Sequence, residues 1–212
     1  MKEVDVARRR VLIMSGVAVV STLACTATVV LGTQVPAVPF THSTCGPEGA
    51  KRVLVAYGSQ YGSTGEISQA IADRLCARGL SADVRRVQEA GDPSDYDAVV
   101  LGSAVQGGKW LPSALAYLEE HAAVLNRLPL AAFCVHMIYL DDSEESAAKR
   151  SAYLDAVYAS VTPTTEGFFA GKLGPMRLPG RLALQWVGLP EGDLRDWDAI
   201  AAWADAVFPD LA

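Results

Sequence analysis

The chain has 212 residues, half of them hydrophobic and a fifth charged, with a formal net charge of −6 at pH 7. That length gives room for one domain of ordinary size plus a tail. Residues 51–212 hold 14 basic and 21 acidic side chains, a net of −7, and an acidic domain without a basic stripe excludes nucleic acid as a partner.

The tail comes first. Lys2, Arg8, Arg9 and Arg10 precede a run of 22 residues, 11–32, that contains no charge. As a helix this run spans roughly 33 Å, enough to cross a bilayer core of about 30 Å. Arg8-Arg9-Arg10 stands immediately before it, so the positive-inside bias keeps the N-terminus in the cytoplasm and sends the rest of the chain outside. A retained single-pass anchor is favoured because the run is longer than most signal cores. Ala7-Arg8-Arg9-Arg10-Val11-Leu12-Ile13 also looks like a twin-arginine export motif, a route taken by folded proteins, which suits a non-covalent cofactor loaded before export. A buried core helix is the bland alternative, yet a run apolar on every face is hard to cover in so small a domain. Residues 33–50, with Pro36, Pro39, Gly46, Pro47 and Gly49, read as a linker. Cys25, Cys45, Cys76 and Cys134 show no CxxC or Cys/His ligand spacing. No metal site is readable from them, and thiols so scattered in a chain of this size argue against a disulfide framework.

From residue 51 the pattern alternates. Val53–Tyr57 is a short apolar run, read as a strand buried on both faces. Ile67, Ile71 and Leu75 at spacing four predict a helix closed by Arg78-Gly79. Ala82–Val87 and Asp97–Gly102 predict the second and third strands, and Gln88–Tyr96 between them is too short for a full helix. Trp110–His121 reads as a helix, Leu130–Ile138 as the fourth strand, Ser143–Ser160 as a helix, Thr165–Ala170 as the fifth strand and Asp196–Phe208 as the last helix. Five strands alternating with helices predict a doubly wound parallel sheet. With strand order 2-1-3-4-5, the loops after strands one, three and four converge on the ligand side.

The first of those loops carries the sharpest signal. Gly58-Ser59-Gln60-Tyr61-Gly62-Ser63-Thr64 leads from strand into helix, with two glycines to turn backbone N–H groups inward and three Ser/Thr hydroxyls beside a helix N-terminus. No lysine or arginine lies in it, and a dianionic monophosphate can be held by such neutral donors. The missing Gly-Lys pair excludes a nucleotide-triphosphate P-loop, and glycines at 58, 62 and 65 do not make the GxGxxG dinucleotide fingerprint. A Ser/Thr turn that only caps a helix is the structural alternative.

The segment VLVAYGSQYGSTGEISQAIADRL (53–75) resembles the opening of flavodoxins. VVLGSAVQGGKW (99–110), FCVHMIY (133–139), GFFAGKL (167–173) and EGDLRDWDAIAAW (191–203) extend the resemblance over nearly all of 51–208. In this order they look most like the flavodoxin-domain branch that includes menaquinone-dependent protoporphyrinogen oxidase. The resemblance implies a flavodoxin-like α/β fold over 51–212 that binds flavin mononucleotide (FMN). Its phosphate would rest on Ser59, Gln60, Tyr61, Gly62, Ser63 and Thr64. The flavin ring would lie between Ser103, Ala104, Val105, Gln106, Gly107, Gly108 and Lys109, with Trp110 following, and the loop around His136, Met137 and Tyr139. Gly107 stands where relatives often place an aromatic residue, so Trp110 or Tyr139 is left to stack on the ring. His136 alone reads first as a packed strand-end residue.

Lys172–Arg195, between the fifth strand and the last helix, mixes Leu182, Leu184 and Trp186 with Lys172, Arg177 and Arg181. Such a mixture suits a membrane surface, a quinone or porphyrin carboxylates, or simply covers the sheet edge. No residue pair identifies a general acid or base. The expected function is an FMN-dependent oxidoreductase that passes electrons from a reduced tetrapyrrole to a membrane quinone. The alternative is an anchored electron carrier that docks redox proteins. Either way the domain is expected at the cell membrane, on the extracytoplasmic side.

Overall fold

The computed structural model describes residues 39–173 and 192–212. The expected apolar helix 11–32 and most of the Lys172–Arg195 segment lie outside the described residues. Among the described residues no helix is long and apolar enough to cross a membrane, and no group of three or more His, Cys, Asp or Glu side chains is placed to hold a metal ion.

A mostly parallel sheet forms the centre. Its strands are β1 (Ser43–Cys45), β2 (Arg52–Gly58), β3 (Ser81–Arg86), β4 (Ala98–Gln106), β5 (Lys109–Trp110), β6 (Leu130–His136) and β7 (Thr165–Ala170). They run in the order β1-β3-β2-β4-β6-β7, with β5 paired to β4. Pairings within β3-β2-β4-β6-β7 are parallel, whereas β1 lies antiparallel on β3 and β5 antiparallel on β4. The helices are α1 (Ser63–Ala77), α2 (Pro112–Leu125), α3 (Glu144–Ser151), α4 (Asp155–Tyr158) and α5 (Trp197–Leu211), and β8 (Lys172–Leu173) pairs with β9 (Gly192–Asp193) as a separate ribbon.

Successive strand side chains point to opposite faces, so a strand covered on both sides must be apolar throughout. In β2, Val53, Val55 and Tyr57 enter a core with Ile67, Ile71 and Leu75 of α1 and Ile200 and Val207 of α5. Leu54 and Ala56 enter the opposite core with Leu118 and Leu125 of α2 and Leu154. All five β2 residues are fully buried. The α1 and α5 surfaces are joined by Arg74, which grips Asp205 with two hydrogen bonds of 2.9 and 2.6 Å; the pair is solvent-exposed and adds little to stability.

Two features differ from the sequence reading. The third strand does not stop at Gly102 but continues to Gln106 and folds back as a hairpin onto β5. Gly107 and Gly108 make the turn, both at positive φ (58° and 77°), the backbone that a two-residue hairpin of this twist demands and that glycine adopts without steric cost. The helix expected over 143–160 is broken into α3, a 3₁₀ turn at Ala152–Leu154 and α4.

The linker reading ends earlier than residue 50. Ser43–Cys45 is an edge strand, and Cys45 forms a disulfide with Cys76 of α1 across a Cα–Cα distance of 6.0 Å. This overturns the expectation of no disulfide: the two thiols are 31 residues apart in sequence, and only the fold makes them neighbours. Tyr57 Oη donates to Thr41 O at 2.8 Å, the Arg86 guanidinium lies 3.7 Å over the Phe40 ring, and Ser81 Oγ donates to Cys45 O at 3.1 Å. Thr44 also hydrogen-bonds Asp83. Burial alone would raise the Asp83 carboxyl, but hydrogen bonds from Thr44, Arg52 and Tyr96 hold it below its ordinary value. A loop of this length gives a cross-link worth about 3–4 kcal/mol in the chain-entropy account. Cys45→Ser is therefore expected to lower the unfolding free energy by roughly that amount in urea titration. Adding a reductant should reproduce the loss in the native chain and leave the variant unchanged.

Candidate functional site

The carboxyl ends of β2, β4, β6 and β7 open onto a cavity of about 600 Å³, the place where open parallel sheets take ligands. Three loops build it. Ser59, Gln60, Tyr61 and Ser63 come from the β2–α1 loop, Ala104–Gly108 from the β4–β5 hairpin, and His136, Met137 and Tyr139 from the loop after β6. Gln106 Nε2 donates to Gln60 Oε1, which ties the first loop to the hairpin at the mouth.

The β2–α1 loop has the construction of an anion cradle. Gly62 sits at φ 87° and turns the chain into α1, whose amino terminus no side chain caps. An uncapped first turn leaves backbone N–H groups and the positive end of the helix dipole for an external anion. Ser59 Oγ accepts from Gly62 N at 3.0 Å and holds the turn closed. Thr64 is fully buried, and its Oγ1 has no hydrogen-bond partner. A buried hydroxyl left unpaired costs about 1–3 kcal/mol, which a phosphate oxygen would offset.

One acidic side chain stands in this first turn, and the fold pairs it with an arginine. Glu66 Oε2 is 2.6 Å from Arg195 Nη1, and Arg195 is also gripped by Asp193 at 2.6 and 2.7 Å. The guanidinium holds the Asp193 carboxyl down at about 2. The sequence reading named neither Arg195 nor Asp193 for the site, because 129 residues separate Arg195 from Glu66.

On the far wall, His136 is buried and packs against Tyr153, ring centroids 5.6 Å apart. Its Nδ1 lies 2.8 Å from Ile138 O; a carbonyl only accepts, so Nδ1 carries the proton and Nε2 bears the lone pair. Nε2 is buried and unpartnered. Burial, chiefly, pushes the imidazole pKa down; the hydrogen bond to Ile138 O opposes this and Arg150 adds to it. Tyr139 is the one non-glycine residue at positive φ (60°) among the described residues, its carbonyl accepting from Arg150 Nη1 at 2.7 Å. Strained backbone of this kind gathers at ligand sites.

Gly62, Thr64, Ser103, Lys109 and Trp110 of the expected set lie off the cavity wall. Ser103 Oγ is buried and accepts from Leu111 N at 3.1 Å. Trp110 corrects an expectation: its ring is in the core and its Nε1 points to Cys134 Sγ at 3.1 Å, so it cannot stack in the cavity, whereas Tyr139 lies on the wall. The wall also includes Val135, Ile138, Tyr153, Gly171, Lys172 and Leu173, which the motif reading did not assign to it. Tyr153 arrives through the 3₁₀ turn, and Gly171 through its N–H bond to His136 O at 2.9 Å; neither has a local sequence signal.

The His136 environment sets a pH dependence. A depressed folded-state value makes the unfolded chain bind the extra proton, so this contribution to stability is present above the unfolded value of about 6.5 and is lost as pH falls below it. Replacing His136 by Gln should flatten the fall in urea midpoint between about pH 7 and pH 5; an unchanged slope would place the titration elsewhere.

A family model described as "Flavodoxin domain" matches residues 54–179. Protoporphyrinogen IX dehydrogenase (quinone) of Escherichia coli strain K12 is 29% identical over 89 residues, 41% of this chain and 49% of that protein. The chain thus spans about half the length of the curated relatives it matches. Among solved structures, the flavodoxin of Streptococcus pneumoniae TIGR4 superposes with a TM-score of 0.46 at 20% identity, over 73% of this chain and 95% of its own. Oxidised flavodoxin 2 of Bacillus cereus gives 0.48 at 21% identity, over 75% and 98%.

Proposed function

The chain belongs to the flavodoxin-domain family, and from that premise we propose that it binds FMN and works as a membrane-tethered oxidoreductase. The observation that carries the reading is the uncapped α1 terminus above the buried, unpartnered Thr64 Oγ1. Ser59, Gly62, Ser63 and Thr64 would hold the phosphate. The hairpin Ala104–Gly108 and the loop His136–Tyr139 would border the flavin ring, with Tyr139 against its face. Bound there, FMN supplies one- and two-electron chemistry. The chain's own part is to seat the ring among Val105, Val135, Met137 and Leu173, exclude water, and offer His136 Nε2 as a buried acceptor.

These apolar wall residues suit a quinone, and among the described residues Lys172 is the one Lys or Arg of the wall. The E. coli relative's name supports a quinone-linked dehydrogenase of a reduced tetrapyrrole. The Cys45–Cys76 disulfide supports an oxidising compartment, in keeping with Arg8-Arg9-Arg10 before the apolar run. An extracytoplasmic domain does not meet haem precursors made in the cytoplasm, so topology decides between a tetrapyrrole and another donor. The test is purification of the full chain in detergent, flavin extraction and identification, then anaerobic assay with protoporphyrinogen and a menaquinone analogue. Yellow protein that releases FMN and reduces the quinone is expected. Colourless protein that ignores added FMN would sink the reading, and a flavin reduced only through a redox protein would make it a carrier.

Two variants test the cradle. Ser59→Asp with Thr64→Glu should abolish FMN retention by setting carboxylates against the phosphate; undiminished binding would show the loop is misassigned. Arg195→Gln leaves the Glu66 carboxylate unpaired in the first turn, and should raise the FMN Kd, read by flavin fluorescence quenching, roughly tenfold, or about 1.4 kcal/mol.

A further inference from the structure

β1 decides which way the domain faces. It runs antiparallel to β3, with Ser43 opposite Val84 and Cys45 opposite Ala82, so the chain before Ser43 climbs toward the carboxyl edge of the sheet. Phe40 lies under Arg86, Thr41 takes the hydrogen bond of Tyr57, and His42 sits 3.7 Å from Glu89. All three partners are at the carboxyl ends of β2 and β3 or just beyond them. The chain therefore enters the domain at Pro39 on the edge where the cavity opens, while the Cys45–Cys76 disulfide fastens the far end of β1, opposite Ala82.

The exposed apolar surface has the same polarity. Six large hydrophobic side chains are exposed among the described residues: Tyr61, Ile138, Tyr139, Leu140, Tyr158 and Trp197. Tyr61, Ile138 and Tyr139 line the cavity, and Leu140 follows them in the chain. Trp197 begins α5 under Arg195, which is paired to the first turn of α1, and so lies on that edge as well. Only Tyr158 lies toward the other end, close to Thr164, which bonds the start of β6. Leu140 and Trp197 are not part of the cavity wall, so a bound flavin leaves them exposed.

We propose that this carboxyl edge is the face the domain lays on a lipid surface, with Ile138, Leu140 and Trp197 entering the headgroup region and the cavity mouth opening toward the bilayer. The proposal rests on the reading of residues 11–32 as a membrane-spanning segment. Six residues, 33–38, separate that run from Pro39, a reach of at most about 25 Å across seven Cα–Cα steps when fully extended. The opposite edge lies a further strand length away, about 23 Å for the seven residues of β2, which that tether reaches only when drawn almost straight, whereas the entry edge needs no extension. A short tether holds the rim at a millimolar effective concentration, at which a few aromatic and aliphatic side chains suffice for interfacial insertion. Charge does not supply the attraction. The domain is acidic, and Asp141 and Asp142 are exposed beside Leu140, so the contact is apolar and is expected to survive high salt. A membrane-dissolved quinone would then reach the cavity without leaving the bilayer.

The test uses the full chain with Cys25→Ser, carrying a single fluorophore on Ile138→Cys, Leu140→Cys or, on the opposite edge, Arg127→Cys, in phosphatidylcholine vesicles doped with nitroxide lipid. Labels at 138 and 140 should be quenched several-fold by the lipid nitroxide and shielded from aqueous iodide, with the label at 127 showing the reverse. If the chain resists alkaline extraction but 138 and 140 remain open to iodide, the orientation is wrong and the anchor reading stands. If the chain washes off the vesicles, the anchor reading fails and takes this proposal with it.

Discussion

A strand covered on both faces must end in a helix that covers one of them, and the turn between has only the residues from Gly58 to Ser63 in which to reverse direction. Everything at the site depends on how that turn is closed. Gly62 takes the positive φ, Ser59 folds its hydroxyl back onto the turn, and no side chain is left to cap α1. The same geometry that buries Ile67, Ile71 and Leu75 against β2 thus leaves a helix terminus open at the cavity. One piece of backbone sets both the packing of α1 on the sheet and the open helix terminus beside the unpartnered Thr64 Oγ1.

Around that turn the fold corrects what the local sequence would spoil. Glu66 in the first turn favours the helix dipole but would oppose an anion, and Arg195 arrives from the start of α5 to pair with it. The loop after β6 is held at a strained Tyr139 by Arg150, and the hairpin is tied to the first loop through the Gln60–Gln106 pair. Each contact joins segments far apart in the chain. The result is a cavity whose wall is apolar around Val105, Val135, Met137 and Leu173 and polar around Ser59, Gln60 and Ser63.

Legibility in the sequence followed the range of the interaction. Strands and helices of the central layer were readable because burial on both faces forces near-continuous apolar runs such as Val53–Tyr57, and because Ile67, Ile71 and Leu75 keep helical spacing. The β2–α1 loop was readable because its residues are contiguous. The hairpin was read as a plain loop, although Gly107-Gly108 signals a tight turn, because the strand before it had already met its expected length. Ser43–Cys45 was missed because three residues are too few for a period to show and its support is entirely non-local.

The sequence by itself determined the parallel layered architecture, the glycine- and hydroxyl-rich strand-to-helix loop and the apolar run before the domain, since each follows from composition, periodicity or contiguous motif. Tertiary structure alone decided that Cys45 meets Cys76, that Arg195 guards Glu66, that Trp110 is core and Tyr153 wall, and that the chain enters on the cavity edge. Those outcomes depend on which distant segments share an edge or a face, and the local pattern along the chain holds no information on that pairing.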